Sequence, residues 1–354
     1  MKHTADSKPR LPGCIGGSSR ARAFTLVEVM VSMVVLAIMM MLIAQIIGTT
    51  QRSWRSASSR LAQFREARIA FDTITRNLRQ ATLNPYRDFH YAGGKGVNKN
   101  LPPSDKPTEP PDGFIKISEL GFVSGRAADL VSGAGSVSGH AVFFQAPLGL
   151  TEDMQFRNLK NLLCARGYFV QFGPDTPYLP SGLRQRLKSK DRFRLMEFQP
   201  PAEKNSVYSQ QGDNWFQVGE SNLKYLRPVS DKIVALVISP RLAAGNQTVS
   251  VGGVVQIPTA IAPSYGYDSR VGAVGIKNEL PPVVRVSMMA LDDASLDTWL
   301  KKENSHDLLE KANVDFASAE RYEEDISRLK EYMARNNLNY RLFEAYVSIP
   351  SSGI

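Results

Sequence analysis

Glu28 is the residue whose type and position raise the sharpest chemical question. It stands near the head of an apolar run, 24-FTLVEVMVSMVVLAIMMMLIAQII-47, interrupted only by Thr25, Glu28, Ser32 and Gln45. A carboxylate inside a bilayer costs roughly 2.5–3.5 kcal/mol on insertion scales. An acid kept at that cost needs either a cation that neutralises it or a depth from which it snorkels to the interface. Glu28 also lies about one turn from the start of the run, where a helix dipole favours a negative charge. Taken alone, the residue leaves both readings open.

Other groups that could do chemistry are weaker. Asp292, Asp293 and Asp297 lie in 291-LDDASLDTWLKKE-303. Three carboxylates so close could hold calcium, but the D-x-[DN]-x-[DN]-G loop is absent. Acids where a strand meets a helix N-terminus explain them more simply. Glu320, Glu323, Glu324 and Asp325 read as the exposed face of a late helix. The four histidines, His3, His90, His140 and His306, show no zinc spacing. Of the two cysteines, Cys164 has the apolar setting of a buried residue. Cys14 ends 11-LPGC-14, which looks like a lipoprotein signal but lacks the apolar stretch that insertion requires. There is no G-x-S-x-G elbow, and Trp54, Trp215 and Trp299 are too dispersed for a stacking surface. The chain is therefore read as a non-enzyme with no cofactor and no metal.

The formal net charge is +9 over 354 residues. Residues 1–23 supply a surplus of four through Lys2, Lys8, Arg10, Arg20 and Arg22 against Asp6, which leaves +5 for the rest. Net charge thus gives little support to nucleic-acid binding, and nucleic acid is not expected as a partner.

Glu28 must be positioned by the helix that carries it. Residues 24–47 make a helix of roughly 36 Å, long enough to cross a bilayer. No small-residue cleavage site succeeds it, so the segment reads as a retained anchor. Basic residues on both sides give only a mild preference for a cytoplasmic N-terminus. The helical pattern continues through 48–84. There Phe64, Ala67, Phe71, Ile74, Leu78 and Ala81 form an apolar stripe, and Arg65, Glu66, Arg68, Asp72, Arg76 and Arg79 take the other faces. One helix of about 90 Å is expected from Phe24 to Leu83, ended by Asn84-Pro85. A flexible loop is expected over 85–113, then a β-rich domain over 114–354. Its strands are read at 114–122, 141–146, 167–173, 192–198, 232–239, 283–291 and 340–349, with a late helix over 315–337. Residues 243–282 read as an insertion or hairpin. The fold class is α+β: a long N-terminal helix, transmembrane then amphipathic, packed on an antiparallel β-rich domain.

The order of features carries a resemblance. A basic leader ending at Ala23, then 24-FTLVEVMVS-32, then the apolar run resembles the class III signal of type IV pilins and pseudopilins. The resemblance implies that prepilin peptidase cuts on the cytoplasmic side between Ala23 and Phe24 and methylates the new N-terminus at Phe24. The family usually has Gly where this chain has Ala23. Glu28 takes the place of the motif's acid, and in an assembly it would meet the freed ammonium of a neighbour's Phe24. The larger minor pseudopilins, of the J type and their W-type pilus relatives, are similar in outline. The stretch 71-FDTITRNLRQATLNPYRDFHY-91 looks like the pseudopilin-like family Verru_Chthon cassette protein C. These resemblances imply a single-pass subunit of the bacterial inner membrane, with residues 1–23 as cytoplasmic leader and 114–354 in the periplasm. Its partners would be prepilin peptidase, membrane lipid, and other pilins or pseudopilins of a type II secretion or pilus-like machine. The alternatives are a pilus-tip module that binds DNA or a secreted substrate, and a signal-anchored periplasmic enzyme.

Overall fold

The computed structural model describes residues 25–91, 110–184, 186, 188–208, 215–216, 220–242, 249–251, 254–256, 261–271, 276–303 and 307–350. The chain divides into two compact units, Met1–Ser59 and Arg60–Ile354. Helix α1 (Leu26–Arg79) begins in the first and ends in the second. In the second unit its apolar stripe faces the core. Ala67, Phe71, Ile74, Leu78 and Ala81 are buried, Ala70 joins them, and Phe64 at the start of the stripe is half-buried against them. Arg65, Glu66, Arg68, Asp72, Arg76 and Arg79 are exposed, with an Arg68–Asp72 pair at 3.1 Å one turn apart. The helix stops a turn earlier than Asn84-Pro85 predicts. Thr82 N–H donates to Gln145 O of the neighbouring sheet at 2.9 Å, and Asn84 takes a left-handed φ of 44°. Sheet pairing takes the backbone out of the helix before the proline can end it.

Strands β1 (Tyr86–His90) and β2 (Gly113–Ile117) form an antiparallel pair. The expectation of loop over the whole of 85–113 is thereby corrected: its first residues are strand, while 92–109 lie outside the described residues. The signal was weak because Tyr86 to His90 read as two aromatics among charges. Strand β3 (Val123–Arg126) and helix α2 (Ala127–Leu130) come after this pair. Next along the chain are β4 (Ser136–Pro147), β5 (Leu163–Pro174), helix α3 (Ser181–Arg184), β6 (Asp191–Phe198), β7 (Leu226–Asp231) and β8 (Ile233–Arg241). The short strands β9 (Val249–Val251) and β10 (Val254–Gln256) make a hairpin, and β11 (Tyr267–Asp268) is shorter still. The chain ends with β12 (Val283–Leu291), α4 (Asp293–Glu303), α5 (Leu308–Lys311), α6 (Tyr322–Arg335) and β13 (Tyr340–Ser348).

Six strands form one sheet in the order β11-β3-β4-β5-β6-β7, and three form another in the order β13-β12-β8. All these pairings are antiparallel. Long helix plus antiparallel sheets is an α+β arrangement. Central β12 is paired on both edges and buried along nearly its whole length, which is why VVRVSMMAL lacks the alternation of a half-wet strand. The six-stranded sheet packs aromatics on both faces. Phe143 meets Phe198 and Phe216 on one, while Phe144 meets Tyr168 and Phe122 on the other.

The two sheets meet where β4 slips out of register with β5, between Ser138 and Val142. There, side chains of β4 bond the backbone of β8. Ser138 Oγ donates to Val234 O at 3.2 Å, and Ile238 N–H donates to His140 Nδ1 at 3.2 Å. His140 Nε2–H donates to Phe316 O at 3.2 Å, so the ring is held in one neutral tautomer. Burial lowers its pKa from 6.5 to about 4. An unfolded chain takes up this proton as pH falls below 6.5, and the folded one does not until about 4. Stability is therefore full above pH 6.5 and is lost as pH falls towards 4, by about 3 kcal/mol from this group. Gln in place of His140 keeps a donor and an acceptor but cannot titrate. Urea unfolding at pH 7, 5.5 and 4.5 is expected to show the parent losing stability relative to His140→Gln across that window, and parallel curves would refute the assignment.

Candidate functional site

In the first unit, the head of α1 is organised by Thr25. Glu28 N–H lies 3.0 Å from Thr25 O and 3.3 Å from Thr25 Oγ1, so the threonine satisfies an otherwise orphan donor of the first turn. Glu28 is the acid of that turn. It shares a stripe of the helix with Thr25, Ser32, Val35, Leu36 and Met39. Its carboxylate makes no hydrogen bond or ion pair among the described residues. The hydroxyls nearby are satisfied within the helix. Ser32 Oγ donates to Val29 O at 2.8 Å, and Thr49 Oγ1 to Ile46 O at 2.9 Å. Such self-contained hydroxyls cost little in lipid, which leaves Glu28 as the uncompensated charge.

From Leu26 to Trp54 the helix is long and apolar enough to cross a membrane, and none of it is buried inside the protein. Trp54, 75 % exposed, stands at the far end, where an amphipathic ring suits a headgroup boundary. Ala23 and Phe24 lie outside the described residues, as do Cys14, His3 and His306.

In the second unit, the other candidates take structural roles. Asp292 is buried and caps α4: Ser295 N–H donates to its Oδ1 at 2.8 Å and Asn339 Nδ2 to its Oδ2 at 3.1 Å. Asp293 pairs with Lys232 at 2.9 Å and Arg192 at 3.4 Å. Asp292 and Asp293 are thus the acid-rich start of a helix, as their spacing suggested, and Asp297 lies one turn further along it. Among the described residues no group of three or more His, Cys, Asp or Glu is placed to hold a metal. Cys164 is buried with a free thiol that burial pushes up in pKa, a setting for packing and not for nucleophilic attack. His90 lies 2.7 Å from Asp112 at the surface.

Asp325 departs from expectation. Glu320, Glu323 and Glu324 are exposed, but Asp325 is on the buried face of α6, and both its oxygens lack a hydrogen bond. Burial raises its pKa. A cleft of about 510 Å³ nearby is lined by Arg126, Arg321 and Arg328 together with Asp307, Glu310 and Asp315. Its charges balance, so it presents no single sign to a ligand.

Two side-chain networks escaped the sequence because their members are far apart in the chain. One is buried, and in the other the buried Arg285 meets two carboxylates at the surface. Asn77 of α1 donates to Tyr168 OH at 2.7 Å, and that hydroxyl donates to Glu197 Oε1 at 2.7 Å. Arg285 reaches Glu344 at 2.5 Å and Glu323 at 2.7 Å, with its guanidinium 3.4 Å from the Tyr322 ring centroid. The first joins α1 to β5 and β6, and the second joins β12 to β13 and α6. Both lock the fold and present no reacting atom.

Against known proteins, the sequence profile of the prokaryotic N-terminal methylation motif matches residues 18–44. No curated protein and no solved structure matches the chain. The motif covers the basic approach to Ala23-Phe24, Glu28 and most of the apolar helix, the pattern of a class III signal on a pilin-like protein.

Proposed function

We propose that the chain is a minor pseudopilin-like structural subunit of a type II secretion or type IV pilus-like assembly, held in the bacterial inner membrane by α1. The observation that carries this reading is the methylation motif at 18–44 laid over an exposed apolar helix whose single acid, Glu28, stands four residues past Phe24. On this reading prepilin peptidase removes residues 1–23 and methylates Phe24. The apolar half of α1 then packs with the helices of other subunits, while the α+β unit faces the periplasm. The part it plays is docking and scaffolding without turnover. The J- and W-type resemblance supports a role among the larger, low-copy subunits.

N-terminal sequencing and intact mass of membrane-extracted protein test this. The expected product starts at a Phe24 carrying one added methyl group. Ala23→Gly is expected to raise the processed fraction, because glycine gives the peptidase the backbone freedom that alanine restricts. A chain that keeps Met1 in cells with active peptidase would overturn the proposal.

A further inference from the structure

We infer that the β5–β6 loop is a docking surface for anionic phospholipid headgroups. Between Pro174 and Arg192 it carries Arg184, Arg186, Lys188, Lys190 and Arg192 against only Asp175 and Asp191. A whole-chain charge count averages this cluster away. Two of the arginines are committed within the protein. Arg184 donates to Leu179 O and Pro177 O at 2.8 and 3.0 Å, and Arg192 lies 3.9 Å from Asp175 and 3.4 Å from Asp293. Asp231 of β7 faces Arg194 at 3.6 Å. Arg186, Lys188 and Lys190 are exposed and form no ion pair among the described residues. Beside them Leu183 is 43 % and Tyr178 36 % exposed. Cations set among a tyrosine and a leucine are the composition of a protein surface at the headgroup level.

The direction of β5 sets where the loop lies within its unit. Thr82 of α1 bonds Gln145, the partner of Ala165 in β5, whereas Asn77 bonds Tyr168 further along the strand. Strand β5 therefore runs antiparallel to the packed part of α1, and its loop lies toward the end where that part begins. Ten positions of the sequence separate Phe64 from Trp54, so the packed part of α1 follows the anchor directly along the chain. Headgroups are thus the polyanion that this chain's own anchor supplies. Nucleic acid fits less well, because the loop has no array of exposed aromatics for bases to stack on. The inference rests on the reading that the apolar half of α1 lies in a bilayer.

The test uses the full chain in nanodiscs of phosphatidylcholine alone or with about a third phosphatidylglycerol. Amine labelling read by mass spectrometry reports each lysine. Labelling of Lys188 and Lys190 is expected to fall about fivefold in the anionic discs, the effect of one cation at an anionic surface, and to recover at high salt. Exposed Lys204, beyond the opposite end of β5, is expected to label equally in both. Equal labelling of Lys188 and Lys190 in both discs overturns the inference while leaving the anchor intact. Protection by a single-stranded oligonucleotide but not by anionic lipid overturns it in favour of nucleic acid. A chain that does not co-purify with discs sinks both the anchor and the loop.

Discussion

Alanine in place of Gly139 is expected to cost the folded chain about 3–4 kcal/mol and lower its Tm by roughly 10 °C. Two penalties add. Gly139 has a φ of +69°, a left-handed conformation that a side chain resists. A Cβ built there would lie 2.6 Å from Leu236 O and 3.2 Å from Leu236 N. Those are backbone atoms of β8, which cannot rotate away as a side-chain tip can. Gly139 also sits between Ser138 and His140, whose side chains hold β8 against β4. Moving β8 to make room would lengthen both bonds, so relaxation is costly too. Gly173, in the same sheet, has nothing within 4 Å of a Cβ and no left-handed φ. Gly173→Ala is the matched control, expected to change stability by less than about 0.5 kcal/mol. Thermal melts of the detergent-solubilised chain followed by circular dichroism would compare them. Equal Tm values for the two variants would mean that the sheets are not joined through this stretch of β4.

Residue types and local spacing already announced the frame around this joint. The stripe from Phe64 to Ala81 has a helical period and one buried face, so α1 was readable from sequence. Strand β12 was read with its observed limits, Val283–Leu291, because nine residues rich in β-branched and methionine side chains lie between PP and DD. Strand β7 was missed because LRPVSD holds a proline and charges, and it pairs with β6 only through a register shift between Leu195 and Met196. Long-range pairing could not be read. Nothing near Ser138 or His140 reveals that Val234 and Ile238 will face them. Likewise, nothing in the sequence around Asn77 shows that Tyr168 will take its amide and Glu197 will take the Tyr168 hydroxyl. Asp325 shows the opposite error, in which a run of acids hid the one that turns inward. In the candidate site, Glu28 was legible because one charge in an apolar run is conspicuous in any one-dimensional reading. The basic loop was not, because its cations alternate with neutral residues and vanish into a modest net charge.

Glu28→Gln is expected to enter membranes at least as well as the parent, yet to yield at least tenfold less subunit-to-subunit crosslinking. The two halves of that result have different causes. Replacing a carboxylate by an amide near the head of the apolar segment relieves part of an insertion cost that reaches roughly 2.5–3.5 kcal/mol only at the bilayer centre. An anchor whose acid merely snorkels is therefore improved or unchanged. If Glu28 instead answers the ammonium of a neighbour's Phe24, the same change leaves that cation unpaired in a low-dielectric contact. Breaking one side of such a pair costs about 3–5 kcal/mol, more than a tenfold loss of association requires. Methylation of Phe24 keeps its charge, so it does not rescue the variant. Glutamine retains the shape and hydrogen-bonding oxygen of the acid, and Thr25 still caps the turn through the Glu28 backbone N–H, which the substitution leaves in place. Carbonate-resistant membrane fractionation reads the first half, crosslinking of cysteine pairs along the helix reads the second, and intact mass checks that the leader was removed in both proteins. Equal crosslinking in parent and variant would make Glu28 a tolerated surface charge on a simple anchor. Loss of crosslinking from a fully inserted, fully processed chain would leave charge pairing between subunits as the reason that an otherwise apolar helix keeps one acid near its head.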